Sequence, residues 1–320
     1  MSYVHPARSS RSRGAWRRKL LISAVVLLFG GAAYLVSIRA ADAAVPPPPE
    51  GFELVFSDDF EGGAGSTIDQ SKWLFDLGTS YQGGASNWGT GEIEVMTDKP
   101  ENVSQDGAGH LAITPIGSGT SWESGRIETI QDFGAEEGGV MRVEGRIQQP
   151  DVNTTNGLGY WSAFWMLGEQ ARPVGATNWP GIGELDISEG INGRGSTFAT
   201  MHCGVASGGP CNELTGLTSG EIQCGTCNTA FHTYALEYDR TVTPEQVRWF
   251  LDGNQIFSLA EDKVDADTWR NATDHGFYLI LNLAIGGAFP AAIGGGPDAN
   301  TVSGKPMLVD YVAIYQRRPA

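Results

Sequence analysis

The segment Gly183–Gly190, with the sequence GELDISEG, places three carboxylates among apolar residues that are typical of a β-strand. Side chains alternate faces along a strand, so Glu184 and Asp186 share one face and Glu189 points to the other. A β-bulge at Ile187-Ser188 would return Glu189 to the first face. Charges on a strand can simply prevent edge pairing, but a pair of carboxylates on one face is also what cleavage of a glycosidic bond requires. The segment therefore predicts a bulged strand that carries a catalytic site.

Short strand-like runs separated by Gly-rich turns recur throughout residues 52–317. Asp252-Gly253-Asn254, between two alternating runs, is a strong hairpin signal. Helical periodicity is nearly absent, apart from one short turn predicted at 265–271. Many short strands predict two packed antiparallel sheets, and all-β domains reach ~250 residues, so we expect a single domain over 52–317. The predicted strands are 53–56, 92–97, 110–115, 125–130, 138–147, 160–167, 183–189, 197–202, 232–238, 246–251, 255–259, 277–284 and 307–316.

The first 43 residues have the pattern of an export signal. A basic segment ending at Lys19 precedes the apolar stretch 20–38, and the small residues Ala41-Asp42-Ala43 follow. We predict cleavage near Ala43 or Ala44 and secretion of the mature protein. The alternative is an uncleaved membrane anchor outside the cell, because 19 apolar residues can just span a bilayer. Residues 44–51, which are rich in proline, predict a short, stiff linker.

The charge of the chain restricts its partners. The chain carries 21 basic and 37 acidic residues, for a net charge of −16. Loss of residues 1–43 would leave 14 basic and 36 acidic residues, for a net charge of −22. Such a surface repels phosphate backbones, which argues against nucleic acid and is compatible with a neutral polysaccharide.

Four cysteines lie within 25 residues, at Cys203, Cys211, Cys224 and Cys227. In an exported protein they predict two disulfides. The sequence allows three pairings, and a nested pairing, 203–227 with 211–224, would follow if Cys203 and Cys227 ended neighbouring antiparallel strands. A zinc site at Cys224-Gly-Thr-Cys227, with His202 as a further ligand, is the less favoured alternative.

With its surroundings, the segment Glu184–Glu189 resembles the E-x-D-x-x-E signature of glycoside hydrolase family 16. The resemblance covers most of the chain after the linker and includes 124–127 (SGRI), 160–167 (YWSAFWML), 178–180 (NWP), 231–239 (FHTYALEYD), 249–253 (WFLDG), 281–287 (LNLAIGG) and 309–312 (VDYV). It implies an all-β fold: a β-jelly-roll sandwich of two antiparallel sheets, concanavalin A-like, with a concave substrate cleft.

The resemblance implies a role for each carboxylate. Glu184 would be the nucleophile, Glu189 the general acid and then base, and Asp186 the residue between them that modulates their charge. Close carboxylates cannot all ionise freely, so at least one pKa must rise, and the acid needs the raised value. Carboxylates close enough for direct attack predict retention of anomeric configuration. No cofactor is expected for catalysis.

Aromatic residues are expected to bind the sugar rings, whose apolar faces stack on them. In the run 160–165, Trp161 and Trp165 share one face while Tyr160 and Phe164 share the other, and alternation alone leaves open which pair lines the cleft. The resemblance favours the tryptophans. It also implies further cleft residues, although His202 could be structural and Asn87 could serve only a turn: Trp179, His202, Arg126, Asn87, Glu92 and Asn282.

The resemblance further implies a possible structural Ca²⁺ at Asp310, with mostly backbone oxygens as the other ligands. Members of that family that are specialised for mixed-linkage glucan more often lack the bulge, so the resemblance implies an endo-acting enzyme that hydrolyses internal β-1,3 linkages of glucans such as laminarin. Ser188 departs from the larger apolar residue that is usual at the bulge. The alternatives are action on another polymer (mixed-linkage glucan, galactan, agarose or carrageenan), a non-catalytic β-glucan-binding protein, and a surface transglycosylase. We expect a monomer.

Overall fold

A computed structural model describes residues 45–319, so the predicted signal or anchor segment 1–43 lies outside the described residues. Within them no helix is long and apolar enough to cross a membrane. The helices are α1 (Ala266–Thr273) and α2 (Ala288–Ala292), with 3-10 turns at Ser86–Gly89, Glu169–Val174 and Glu261–Lys263. The strands are β1 (Glu53–Asp58), β2 (Trp73–Phe75), β3 (Glu94–Met96), β4 (Val103–Gln105), β5 (Leu111–Ile113), β6 (Ile116–Ser118), β7 (Ser121–Ser124), β8 (Arg126–Thr129), β9 (Val140–Gln148), β10 (Tyr160–Gly168), β11 (Glu184–Ile191), β12 (Ser196–His202), β13 (Leu217–Thr218), β14 (Ile222–Gln223), β15 (His232–Asp239), β16 (Gln246–Leu251), β17 (Asn254–Ala260), β18 (Phe277–Ile285) and β19 (Met307–Arg317).

Two antiparallel sheets pack face to face and form a β-sandwich of the jelly-roll type, as predicted. Sheet A has the order β17-β16-β15-β9-β19-β5-β4, with β1 also paired to β19. Sheet B has the order β13-β12-β11-β10-β18-β8-β2, with β14 also paired to β12. A small third sheet, β3-β7-β6, includes one parallel pair. One continuous apolar core fills the space between sheets A and B.

Strand β10 shows which face of sheet B meets the core. Phe164 and Met166 are buried in the core between the sheets, whereas Trp161 and Trp165 are half-buried on the opposite, outer face. Alternation along the strand left this choice open, and the structure resolves it in favour of outward-facing tryptophans. The outer face of sheet B is therefore the surface on which the predicted site residues of β10 lie.

Strand β11 contains the predicted bulge. Asp186 pairs with Thr200 and Glu189 with Phe198, so three steps on β11 match two on β12. Two hydrogen bonds support the bulge. Trp249 of sheet A, fully buried, donates its indole N–H to the carbonyl oxygen of Asp186 at 2.9 Å. The hydroxyl of Ser188 is 2.9 Å from that of Thr197, so a small polar residue fits the bulge.

Elements that the sequence did not predict are mostly very short. Strands β2, β4, β6, β13 and β14 have two or three residues, too few for an alternating pattern to emerge. The predicted turn at 265–271 is helix α1, whose first turn is capped by the carboxylate of Asp265 accepting from Thr268 N–H. Part of the predicted linker packs on the domain, because Tyr315 donates its hydroxyl to the carbonyl oxygen of Pro46 at 2.9 Å.

The start of β11 requires a glycine, and this yields a stability prediction. Gly183 has φ +82°, and a Cβ there would lie 2.0 Å from the carbonyl oxygen of Ala272. Gly78 has a similar φ of +84° but no atom within 4 Å of its Cβ position. We expect Gly183→Ala to lower the free energy of unfolding by roughly 3 kcal/mol or more, and Gly78→Ala by roughly 1 kcal/mol. Urea unfolding of both variants checks this; equal losses would contradict the steric argument.

Candidate active site

The three predicted carboxylates lie side by side on the outer face of sheet B. The bulge brings Glu189 to the face of Glu184 and Asp186, whereas Leu185 and Ile187 point into the core. Asp186 and Glu189 are 4% and 8% exposed, and Glu184 is half-buried. The sequence pattern thus predicted the placement of all three groups.

Two tryptophans hold the two glutamates. The indole N–H of Trp161 donates to Oε1 of Glu189 at 3.0 Å, and that of Trp179 donates to Oε2 of Glu184 at 3.1 Å. An indole N–H is a donor only, so each bond requires an oxygen acceptor and fixes the carboxyl group opposite it. Both residues were predicted to line the cleft, and each of them is bonded to one of the two candidate catalytic glutamates.

The pKa values of the three groups differ in a way that suits acid–base chemistry. Burial is the main cause that raises the pKa of Glu189 to about 7, against the lowering effect of His202 and of the Trp161 hydrogen bond. Burial, and then the charges of Glu184 and Glu189, raise the pKa of Asp186 well above its usual range. Burial also raises the pKa of Glu184, but the charges of His202 and Arg126 oppose the rise. The two cations thus favour the ionised form of Glu184, whereas burial and the two neighbouring glutamates favour the protonated form of Asp186.

His202 lies in the site, as predicted, rather than in a separate structural position. Its Nε2 is 3.5 Å from Oδ2 of Asp186 and 3.9 Å from Oε1 of Glu184. Its ring lies 5.5 Å from that of Trp179, and its Nδ1 is 2.7 Å from Oε2 of Glu213. Burial alone would lower the pKa of His202, but the bond to Glu213 and the two nearby carboxylates raise it to about 10. The imidazole is therefore a cation at neutral pH.

A second group of predicted residues adjoins the carboxylates along β10. Trp165 donates its indole N–H to Oδ1 of Asn282 at 2.7 Å. The guanidinium of Arg126 lies 4.9 Å from the ring of Trp165 and 4.3 Å from the ring of Trp88. It also donates to Asp76 at 2.9 Å. Arg126 is thus fixed by stacking and by an ion pair, and it supports Trp165.

Asn87 and Glu92 lie on the loop before β3. Asn87 has φ +53° and donates to the backbone carbonyl of Glu92 at 2.7 Å, which is the turn role that the sequence left open. Glu92 is buried and accepts from the hydroxyl of Thr90 at 2.6 Å. Burial, and then the neighbouring Glu92, raise the pKa of Glu94 well above its usual range. Contact of Asn87 and Glu92 with a substrate stays a prediction.

The cysteines form two disulfides, Cys203–Cys211 and Cys224–Cys227. The nested pairing is wrong because Cys203 and Cys227 are not at neighbouring strand ends. Cys203 follows β12, whereas the carbonyl of Cys227 accepts from the N–H of Gln149, next to β9 of the other sheet.

Two groups of side chains in the described residues have the spacing of metal ligands. One is Cys224, Cys227 and His232, and its sulfurs are bonded to each other rather than available as thiolates. The other is Glu184, Asp186 and His202 within the site, where the imidazole is already a cation. Bonded sulfurs do not fit the zinc ion that the sequence offered as an alternative at Cys224–Cys227, and His202 does not belong to that group.

Asp310 lies on β19 of sheet A and is 2% exposed. Its carboxylate forms a salt bridge with the guanidinium of Arg146. A Ca²⁺ ion would have to share that carboxylate with a fixed cation, so the donor set does not fit calcium well. Calcium at Asp310 stays a prediction without support from its surroundings.

Two important side chains of the site were not predicted as site residues. Trp249 belongs to the opposite sheet and acts on the backbone of the bulge. Glu213 lies eleven residues after His202, in an irregular segment. A single buried acid in a Gly-rich loop has no local sequence signal, so only the fold reveals its contact with His202.

Glu184 and Glu189 lie on one sheet face, and an indole N–H is bonded to each of them. The pKa of Glu189 is raised to about 7, and nearby cations stabilise the charge of Glu184. A glycoside hydrolase needs such a pair, one group as the acid and the other as the nucleophile. The half-buried tryptophans beside them can stack on sugar rings. The fold and the site together define the protein as a member of that class of enzymes.

Known proteins of that class are similar to the chain over most of its length. A β-glucanase from Rhodothermus marinus is 32% identical over 273 residues, which are 83% of this chain and 85% of that protein. The crystal structure of an endo-1,3-β-glucanase from Streptomyces sioyaensis matches with a TM-score of 0.84 and 51% identity, and covers 86% of this chain and 100% of that one. A non-specific endo-β-1,3(4)-glucanase of glycoside hydrolase family 16 matches with a TM-score of 0.65 and 28% identity, over 84% of this chain and 93% of that one.

No family model matches the chain. Two further relatives are longer, and the chain spans 39% and 55% of their lengths. The identity to the β-glucanase and the extent of its coverage are sufficient to assign the family. The chain belongs to the family of the endo-1,3-β-glucanases.

The bond between Trp161 and Glu189 yields a prediction about the site. A hydrogen bond to a carboxylate stabilises its charged form, so Trp161→Phe should raise the pKa of Glu189 above its present value of about 7. A ¹³C NMR titration of the glutamate carboxyl groups measures it. Trp165→Phe is the matched control, because its indole donates to Asn282 instead. A shift of the same size in both variants would show that the Trp161 bond is not the cause.

Proposed function

We propose that the protein is a retaining endo-glycosidase that hydrolyses internal β-1,3 linkages of glucans of the laminarin type. The observation that carries the proposal is the bulge of β11, which sets Glu184 and Glu189 on one face beside an outward row of tryptophans. The likeness to endo-1,3-β-glucanases supports the choice of linkage. We further propose that the chain belongs to glycoside hydrolase family 16, which the E-x-D-x-x-E spacing and the likeness to a member of that family support.

In the proposed mechanism the two glutamates act in turn. Glu184, whose charge His202 and Arg126 stabilise, attacks the anomeric carbon while Glu189 donates its proton to the leaving oxygen. The glycosyl–Glu184 ester is then hydrolysed by a water molecule that the ionised Glu189 deprotonates, which restores both groups. The hydrogen bond from Trp161 stabilises the charged form of Glu189. Glu189 therefore stays ionised after the first step and is in the form that accepts a proton from water.

Asp186 and the tryptophans assist these steps. Asp186 lies between the two glutamates, and a protonated Asp186 adds no negative charge as Glu184 attacks. When Glu184 loses its charge in the ester, the field that favours protonation of Glu189 weakens, which suits its change from acid to base. Trp161, Trp165 and Trp179 are proposed to stack on sugar rings, and Asn282 and Arg126 to fix Trp165. No cofactor is proposed for catalysis.

The first test is hydrolysis of a panel of laminarin, curdlan, lichenan, agarose, carrageenan and galactan. We expect release of reducing ends from laminarin, and a loss on the order of 10³-fold or more in Glu184→Gln and Glu189→Gln. Release from another polymer alone would replace the linkage in the proposal. Binding of laminarin without release would favour a glucan-binding protein, and products longer than the substrate would favour a transglycosylase.

The second test is the stereochemistry of the first-formed product. Two displacements at one carbon retain its configuration, so ¹H NMR during the first turnovers should show β-configured reducing ends before mutarotation. The same reaction after mutarotation provides the control spectrum. Early appearance of the α-anomer would refute Glu184 as a nucleophile, even if laminarin is hydrolysed.

Export of the protein is also a proposal. The signal pattern of residues 1–43 supports secretion, and disulfides are typical of oxidising compartments. Mass spectrometry of the N-terminus decides between cleavage near Ala43 and a retained anchor, which an intact Met1 would indicate. We also propose that the enzyme acts as a monomer, which light scattering of the purified protein checks.

A further inference from the structure

Glu213 is a buried acid that contacts the candidate site through His202. Its side chain is 0% exposed, in a segment that otherwise has exposed neighbours, Leu214 among them. One carboxylate oxygen is 2.7 Å from Nδ1 of His202, and the other accepts the N–H of Cys203 at 2.9 Å. Burial of a carboxylate is unfavourable unless it is paired, so these two bonds account for its position.

The Cys203–Cys211 disulfide determines where Glu213 lies. It joins the end of β12, directly after His202, to a residue two positions before Glu213, with a Cα–Cα distance of 5.5 Å. Further along, Gly216 has φ +75°, and a Cβ there would lie 3.0 Å from the His202 ring and 2.5 Å from the side chain of Thr200. The loop therefore closes tightly over His202 and leaves it in contact with the carboxylates of β11.

We propose that Glu213 is a positioning residue: held by the Cys203–Cys211 disulfide, it orients His202 and keeps a proton on Nε2 facing Glu184 and Asp186. The inference rests on the proposed function, because it assigns His202 as the cation of that catalytic site. An acceptor at Nδ1 fixes the ring orientation and holds a proton on Nδ1, as carboxylate–histidine pairs do at metal sites. The negative charge of Glu213 also favours the imidazolium form of His202, in which Nε2 carries the second proton. Here the charge would act on two carboxylates instead of a metal.

The charges around His202 support this assignment. Glu184 and Asp186 approach it from β11, and Glu213 from the loop; the charge of His202 also reaches Glu189 of β11. With Glu213 in place the imidazole stays protonated up to about pH 10, and its charge favours the ionised form of Glu184 over the whole range in which Glu189 titrates. Without Glu213 the ring would lose its acceptor at Nδ1 and the hydrogen bond that contributes most to raising its pKa.

The test is the variant Glu213→Gln, which preserves shape and removes the charge. An NMR titration of the His202 ring should show its midpoint fall by at least ~1 pH unit from about 10. On laminarin, kcat should fall roughly 10-fold with little change in KM, because the bond acts on the reacting groups rather than on the bound sugars. Glu221→Gln is the matched control: Glu221 pairs with Arg194 in the same stretch of chain and does not contact His202.

The role of the disulfide is tested with paired variants. Cys203→Ser/Cys211→Ser should lower the His202 midpoint as Glu213→Gln does, whereas Cys224→Ser/Cys227→Ser should leave it unchanged. An unchanged midpoint in Glu213→Gln, or equal shifts in both double variants, would overturn the proposal; an unchanged kcat in Glu213→Gln would overturn its catalytic part. The titration needs no substrate, so a shifted midpoint in a protein that hydrolyses no polysaccharide would support the positioning of His202 and refute the proposed function alone.

Discussion

The site depends on one irregularity, the extra residue in β11, and on the hydrogen bond that holds it. A bulge interrupts the ladder and leaves backbone groups without a strand partner. The indole of Trp249 reaches from sheet A and takes the carbonyl of Asp186 as its acceptor, at the point where the register changes. A bond between the two sheets thus supports the bulge at the point where it forms. Without the extra residue, Glu189 would lie on the face of the core.

Three carboxylates on one face repel one another, and the structure offsets this in two ways. Burial and the two neighbouring glutamates raise the pKa of Asp186, which favours its neutral form. The structure also supplies a cation, His202, whose charge is maintained by an acid outside the row. The three carboxyl groups therefore carry less negative charge than three ionised carboxylates would, and the positive charge of His202 offsets part of what remains. Because the groups are coupled, the titration of any one depends on the others, and observed pKa values belong to the set.

The sequence predicted what has a local pattern, and failed where contacts are made between distant segments. The alternating runs predicted all the long strands, and the three acids with one extra residue predicted the bulge and its charged face. Alternation could not tell which face of β10 meets the core, because both Trp165 and Phe164 suit burial; the surrounding sheets decide it. The disulfide pairing failed for the same reason, since it depends on where the chain places Cys203 and Cys227 relative to the two sheets.

The tryptophans of the site hold polar side chains in place and also present a surface on which sugar rings can stack. Stacking on sugars alone would leave the direction of an indole N–H undetermined, yet Trp161, Trp165 and Trp179 each direct theirs at an oxygen of a site residue. A ring fixed in this way loses little rotamer entropy when a sugar stacks on it, since the hydrogen bond has already immobilised it. The same bond links binding to chemistry: a sugar that displaces Trp161 also alters the proton affinity of Glu189. Position and acidity are therefore set by one contact, which explains why the acid and its tryptophan lie on adjacent strands of the sheet.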